Sequence, residues 1–317
     1  MVDSPDFRSY FFERQKQEFN RCLSPGMTCE GKAIRAHSIQ NSTVLDLLCR
    51  DGHVKALTKR VNWELGPQIS FEDVGRNKAS TFTGFCAQHD ADIFRPIDTA
   101  PLDVADPEQL FLLAYRAVAR EAQASYDAAC KIQSAYQKRV EHGLDDPNAP
   151  SPAGMLATQQ MIRAYMLYRY KIQYDFALHV KKFEAVRHRI FTLTVARPTI
   201  AVSALFSLDN VQVNDEWVDV AMTIIPLAST QTVAIFSYVP DHEAVVTTEL
   251  QRLFLAQGHY QKYELSKLIL NYCENFVIAP DHFDTWSNEK VEAIRAYFLA
   301  TLTKGNMAFE EERLYLF

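Results

Sequence analysis

The sequence predicts a protein of the α+β class in three parts: a small cysteine-containing N-terminal domain, a long antiparallel helical hairpin and a C-terminal antiparallel sheet with helices. Four of the six cysteines lie in the first 105 residues. Two long stretches with apolar residues at three- and four-residue spacing follow, and then several stretches rich in β-branched and aromatic residues. These observations predict domains at 1–105, 106–190 and 191–317.

Composition indicates a globular protein. The chain has 317 residues, of which 48% are hydrophobic, enough for two or three domains with a sizeable core. It contains no apolar run of about 18 residues, and its charged first residues differ from a secretory signal. We therefore expect a cytoplasmic protein without membrane contact. Sparse cysteines argue against a disulfide framework, so clustered thiols predict metal ligands.

The net charge of −6 hides two basic segments. Residues 32–60 carry six basic and two acidic side chains, and residues 155–190 carry seven and two. Such segments are either solvated faces or surfaces that contact nucleic acid. The sequence contains no P-loop, no glycine-rich dinucleotide fingerprint and no G-x-S-x-G motif, which argues against the enzyme classes built on them.

The N-terminal domain is predicted to consist of short elements. The stretch STVLDLLCR predicts a short helix, whereas HVKALTKRV and QISFEDVG alternate like strands of a small sheet. A core of this size would be marginal without further support.

The hairpin begins at an Asp-Pro helix start and continues to Gly143, and its second helix extends from Met155 to Ile190. Each helix would be about 50 Å long. Such extended surfaces predict packing on the C-terminal domain or on a second chain, with a homodimer through the hairpin as the preferred arrangement. The segment YMLYRYKIQY forms either hairpin core or a surface that stacks on nucleic-acid bases.

The C-terminal domain is predicted from a change of period at Ile190. Four strands follow as an antiparallel meander, IFTLTVA, TIAVSALFSL, EWVDVAMTIIPL and TVAIFSYV. Three helical stretches come after them, the last with Ser287 as its N-cap.

A set of metal ligands is the most specific signal in the sequence. Cys86 and His89 have the spacing with which two ligands at a helix start point to one ion, and Cys22 and Cys29 flank a Pro-Gly turn. Three thiolates and an imidazole suit a closed, structural Zn(II) site that would support a small core. The alternative is that the cysteines are ordinary buried thiols and His89 is a core histidine.

The pattern C…C…AHSIQ…GFCxxHD..IF, over residues 20–98, resembles the zinc-containing HNH, or His-Me finger, nucleases of treble-clef shape. It is similar in particular to a set of uncharacterised bacterial proteins that carry this N-terminal pattern. The resemblance implies a metal-dependent nuclease that hydrolyses DNA or RNA, in the setting of bacterial phage defence. It implies that His37 is the general base and that Asp90 binds a catalytic Mg(II) or Mn(II).

Two positions depart from the family pattern. Ala36 stands where active members commonly have an acidic metal ligand, and Gln40 stands where they often have proline. A further ligand would then come from Asn41, Asn77 or His53. The alternatives are that His37 is a structural histidine or a zinc ligand in place of a cysteine, and that the chain is a non-catalytic binding or scaffold protein with a degenerate HNH-like site.

Overall fold

The computed structural model describes residues 19–62, 64, 66–214, 216–304 and 312–317. It confirms a mixed α+β protein with antiparallel strands. The strands are β1 (Ala33–His37), β2 (His53–Asn62), β3 (Gly66–Gly75), β4 (Thr81–Cys86), β5 (Arg187–Thr194), β6 (Ile200–Val213), β7 (Glu216–Ala228), β8 (Gln231–Tyr238) and β9 (Phe276–Ile278). The α-helices are α1 (Asp46–Leu48), α2 (Ala87–Asp98), α3 (Pro107–Glu141), α4 (Pro152–His179), α5 (Glu243–Glu249), α6 (Gln251–Leu255), α7 (Gly258–Tyr272), α8 (Pro280–Phe283) and α9 (Asn288–Lys304).

The chain divides into two compact units, neither of which is continuous in sequence. The metal unit comprises residues up to 36, 82–93 and 118–182, and the sheet unit comprises 37–81, 94–117 and 183–317. The division at residues 105 and 190 stays a prediction, and the first 18 residues of the predicted N-terminal domain lie outside the described part.

The sheet unit is built on a seven-stranded sheet of order β3-β2-β9-β6-β7-β8-β5. As predicted, β6, β7 and β8 pair as consecutive antiparallel neighbours. The expected meander is not complete, because β5 pairs with β8 at the edge of the sheet and not with β6. The second edge of β6 is occupied by β9, where Ile200 lies opposite Ile278.

The expectation that β2 and β3 belong to a small sheet is wrong, because both lie in the seven-stranded sheet. The two strands pair with each other, but β2 also pairs with β9 through Lys55 opposite Ile278. An isolated two-stranded ribbon buries little apolar surface, so its stability gains from joining a larger sheet.

Both faces of the large sheet are covered, which explains the nearly continuous apolar runs in β6–β8. Successive side chains along a strand point to opposite faces, so each strand contributes to both clusters. The first cluster includes Ile200, Val202, Val220, Met222, Leu265, Ile269 and Trp286. The second cluster includes Val44, Leu45, Leu48, Ala201, Ile225, Val233 and Ile235.

The two long helices have clear start signals. The Asp106 carboxylate accepts a hydrogen bond from the Glu108 amide at 2.9 Å, and Ser151 Oγ accepts one from the Gly154 amide at 3.1 Å. The second helix ends at His179 and not at Ile190. It stops because Lys181 adopts a left-handed φ of 54°, and the following residues enter β5.

The last helix agrees with its predicted start, since Ser287 Oγ accepts a hydrogen bond from the Lys290 amide at 3.2 Å. No helix in the described ranges is both long enough and apolar enough to cross a membrane.

A half-buried histidine in β5 should make the fold sensitive to acid. His188 Nδ1 lies 2.9 Å from Ser237 Oγ, and its buried Nε2 has no hydrogen-bond partner among the residues that the structure describes. Burial lowers the pKa of His188 from 6.5 to about 4. The unfolded chain therefore binds a proton that the folded chain resists, and stability falls as the pH drops from 6.5 towards 4.

We expect this titration to remove about 2 to 3 kcal/mol of unfolding free energy across that pH window. Urea denaturation of the wild type and of His188→Asn between pH 7 and pH 4 checks it. Burial also lowers the pKa of His242 and His282, so the variant should be less pH-dependent, not pH-independent. An equal loss of stability in both proteins would contradict this assignment.

Candidate metal centre

The four predicted ligands come together in the metal unit. Their ligand atoms, from Cys22, Cys29, Cys86 and His89, all lie within 4.8 Å of one another. His89 Nδ1 is 3.5 Å from Cys22 Sγ and 3.3 Å from Cys86 Sγ, and the Sγ atoms of Cys29 and Cys86 are 3.9 Å apart. A zinc tetrahedron with Zn–S of about 2.3 Å and Zn–N of about 2.0 Å needs separations of about 3.8 Å and about 3.5 Å. The cluster could therefore bind a metal ion such as zinc.

Two ligands come from a strand-to-helix junction. Cys86 is the last residue of β4, and His89 lies in the first turn of α2. A spacing of three residues places both side chains on one side of the helix start.

The other two ligands flank a tight turn. Residues Pro25–Met27 form a 3₁₀ turn in which Gly26 has a φ of 77°, a conformation that favours glycine. An antiparallel bridge between Arg21 and Lys32 closes the base of this loop. The spacing between Cys22 and Cys29 is unusually wide for a pair of zinc ligands. The turn between them, with its exposed Gly26, brings both cysteines to the same cluster.

Backbone amides point at all three sulfur atoms. The Gly31 amide donates to Cys29 Sγ at 3.3 Å, the Cys86 amide to Cys22 Sγ at 3.3 Å, and the His89 amide to Cys86 Sγ at 3.5 Å. Hydrogen bonds from the His89 amide and the His89 ring lower the pKa of Cys86 to about 7, although burial alone would raise it. At Cys29 the Gly31 amide lowers the pKa, but desolvation and the neighbouring thiols outweigh it, so the pKa is raised.

A buried lysine of α4 forms an ion pair near Cys22. Lys171 in α4 donates to both carboxylate oxygens of Asp175, at 2.6 Å and 2.9 Å. Burial lowers the pKa of Lys171, and the negative charges of Asp175 and Cys22 oppose that shift. Helix α4 also packs against the Pro25–Met27 turn. Sequence reasoning missed Lys171; the signal was a Lys-x-x-x-Asp pair on a helical face that otherwise carries apolar and aromatic side chains.

Gly31 leaves little room for a side chain beside the cluster. A Cβ atom there would lie 3.1 Å from Cys86 Cβ and 3.2 Å from Cys29 Sγ. We therefore expect Gly31→Ala to displace a ligand and weaken zinc binding roughly 10- to 100-fold, as changes to the surroundings of metal ligands commonly do. Competition with a chromophoric chelator measures it. Gly75→Ala is the control, since its nearest atom would be 4.0 Å away; equal affinities for both variants would contradict the prediction.

His37 is not a member of the four-residue ligand group. It is the last residue of β1, it is half-buried, and its Nε2 lies 3.0 Å from the backbone oxygen of Arg76. Because a carbonyl only accepts hydrogen bonds, Nε2 must carry the proton and Nδ1 the lone pair. The three predicted cysteines and His89 fill the cluster, and His37 replaces none of them.

The second metal site implied by the resemblance has less support. Asp90 lies in the first turn of α2, and its role as a ligand stays a prediction. Ala36 is buried and offers no ligand atom. Among the described residues, the Cys3His cluster is the only group of three or more His, Cys, Asp or Glu side chains within metal-binding reach.

The other suggested ligands lie in the sheet unit. Asn41 Nδ2 donates to Asn77 Oδ1 at 2.9 Å, while Asn41 Oδ1 is buried and accepts no hydrogen bond within the described part of the chain. His53 Nδ1 lies 2.8 Å from the backbone oxygen of Asp51, which engages one of its two ring nitrogens. Asn41 Oδ1 is therefore the better placed to receive a hard cation or a water.

Comparison with known proteins adds no assignment to this geometry: no protein-family model matches the sequence, and neither a curated protein nor a solved structure matches it.

Proposed function

We propose that this chain is a metal-dependent nuclease held together by a structural zinc ion, with His37 as its general base. The observation that carries the catalytic part is the hydrogen bond between His37 Nε2 and the Arg76 carbonyl, which leaves Nδ1 able to accept a proton. A base of this kind can take the proton from a water that attacks a phosphodiester. The Cys3His geometry supports the zinc part.

In this proposal the zinc site belongs to a treble-clef-like module. The Pro25–Met27 turn supplies two ligands, β1 and β4 pair as a two-stranded sheet, and α2 begins beside the other two ligands. Four protein ligands leave no open coordination position, so the zinc serves folding and not catalysis. Elemental analysis of protein purified without chelator should give about one zinc per chain.

We further propose that α3 and α4 form the antiparallel hairpin. Within the metal unit, Arg163 of α4 reaches Glu121 of α3 at 3.3 Å, and the short connection between the helices ends at the Ser151 cap. A Cβ atom at Gly154 would lie 3.2 Å from the Tyr136 ring, and this close contact between α4 and α3 supports the proposal.

A catalytic Mg(II) or Mn(II) would supply a Lewis acid for the phosphate. The amide oxygen Asn41 Oδ1 is a ligand candidate in the sheet unit, to which His37 also belongs. His37 would orient and deprotonate the water, and the Arg76 carbonyl would hold its tautomer.

The second candidate is a non-catalytic zinc-containing binding or scaffold protein. Ala36 favours it, because this buried residue, 4% exposed, supplies no ligand where active members of the resembled family commonly have one.

A cleavage assay separates the two candidates. The zinc-loaded full chain is incubated with plasmid DNA, single-stranded DNA and RNA, with Mg(II), Mn(II), Ni(II) or no added divalent ion. Cleavage that depends on the added ion supports the nuclease. If no substrate is cut under any condition while the protein retains its zinc, the binding protein replaces it.

A further inference from the structure

Helix α4 has apolar side chains on two opposite faces. One face is buried in the metal unit and includes Ala157, Ala164, Leu167, Tyr170, Tyr174 and Ala177. The other face is exposed, and we call it the α4 stripe. It consists of Met161, Ile162, Tyr165, Tyr168, Ile172 and Phe176, together with Val180 directly after the last residue of the helix. A helix that buries only one of two apolar faces has a surface to cover.

The α4 stripe is continuous along the helix. At 100° per residue its members fall within an arc of about 120°, and they extend over about 28 Å. Steps of three and four residues from Met161 to Phe176 are the spacing with which one helix packs against another. The geometry therefore favours a helix as the occupant.

The exposed area matches one side of a protein interface. Phe176 is 65% exposed and Tyr165 is 60% exposed. With roughly 200 Å² for each large side chain, the stripe presents about 700 Å². The largest apolar patch of a typical monomer covers about 300–600 Å², and a stable complex buries about 800 Å² on each partner.

We propose that the α4 stripe is a homodimer interface, on which α4 of a second copy packs in the antiparallel direction. The stripe is self-complementary about a point between Tyr168 and Arg169. Around that point Met161 meets Phe176 of the second copy, and Tyr165 meets its Ile172. Each aromatic ring thus faces a smaller or more flexible side chain.

The position of Arg169 selects this direction. It is exposed and lies within the arc of the stripe. In the antiparallel arrangement it comes opposite the ring of Tyr168, a favourable cation–π pair. A parallel pair in register would place the two Arg169 side chains against each other, and like charges repel.

Nucleic acid is a weaker occupant for the same surface. Arg169 is the one permanently charged residue inside the arc, and Lys171 of the same basic segment is buried against Asp175. Phosphate binding gains affinity from several neutralised phosphates, which a single arginine does not provide. The interface does not depend on the proposed nuclease activity.

The test is the mass of the full zinc-loaded chain in solution. Sedimentation velocity and light scattering should show a dimer at protein concentrations on the order of 10⁻⁴ M, above the micromolar Kd of a weak interface of this size. Tyr165→Glu should weaken the dimer roughly 30- to 1,000-fold, as loss of a central interface residue does. Gln159→Glu, exposed on the same helix but outside the arc, should leave it intact.

A double variant tests the register. Ile172→Lys alone should also weaken the dimer, whereas Tyr165→Glu combined with Ile172→Lys should recover it, because each glutamate faces a lysine of the other copy. Unchanged melting of every variant, measured at a protein concentration below the Kd of the dimer, shows that the fold is kept. The proposal is overturned by a monomeric wild type, including one that binds nucleic acid or vesicles through this face. It is equally overturned if Tyr165→Glu leaves the Kd of the dimer unchanged, or if the double variant stays monomeric.

Discussion

Replacing Cys86 with serine is expected to release the zinc and unfold the ligand-bearing segments of the metal unit. Cys86 contributes a buried sulfur to the cluster and accepts the His89 amide hydrogen bond. The ligand-bearing segments around it are short, so metal binding supplies a large part of their stability. Structural zinc sites contribute on the order of 10–16 kcal/mol, and a hydroxyl is a poor substitute for a thiolate.

The measurement combines zinc content with thermal unfolding and limited proteolysis. Cys86→Ser should carry little zinc, and sites in residues 19–36 and 82–93 should become open to protease. Cys130→Ser is the matched control, since Cys130 is exposed and outside the cluster. If Cys86→Ser keeps a full equivalent of zinc and melts like the control, the cluster is not a structural zinc site.

Zinc affinity should also fall with acidification. In the metal-free cluster the pKa of Cys86 is lowered to about 7, so a proton competes for this thiolate below that pH, and it competes at Cys29, whose pKa is raised, already at higher pH. Because a proton competes with the metal at each ligand, the wild type should lose zinc to a chelator more readily below pH 7 than above it.

The metal cluster could be predicted from the sequence because each of its two ligand pairs is positioned by one local element. Cys86 and His89 are fixed by the start of one helix, and Cys22 and Cys29 by one turn, so only the meeting of the two pairs had to be inferred. Lys171 escaped prediction because its role depends on the packing of α4 near Cys22, a contact that no sequence spacing encodes.

Strand pairing was predicted less well than strand existence. The alternating pattern located β2 and β3, but it carries no information on which edge a strand will meet. The pairing of β2 with β9 joins residues more than 200 positions apart, Lys55 and Ile278. Likewise, apolar periodicity favoured a helix up to Ile190, whereas the left-handed Lys181 and the pairing of β5 with β8 end it at His179.

Replacing His37 is expected to have the largest effect on activity. If Nδ1 of His37 is the general base, His37→Ala should lower kcat/KM for metal-dependent cleavage by about 10²- to 10⁴-fold, the usual contribution of a positioned base. The zinc should remain, because His37 is not one of the four grouped ligands. Asp90→Ala tests the ligand role that the resemblance implies, with partial rescue at high Mn(II) as the sign of a metal ligand.

His37→Gln separates the base from the hydrogen bond to Arg76. Its amide N–H can still donate to the Arg76 carbonyl, whereas the basic nitrogen is gone. The glutamine variant should therefore melt close to the wild type and yet be as inactive as His37→Ala, while His259→Ala, an exposed control, stays active. A purely structural histidine would give the opposite order, with the glutamine variant retaining most of the activity. Loss of zinc from His37→Ala would likewise reject the general base and leave the non-catalytic binding protein as the better account.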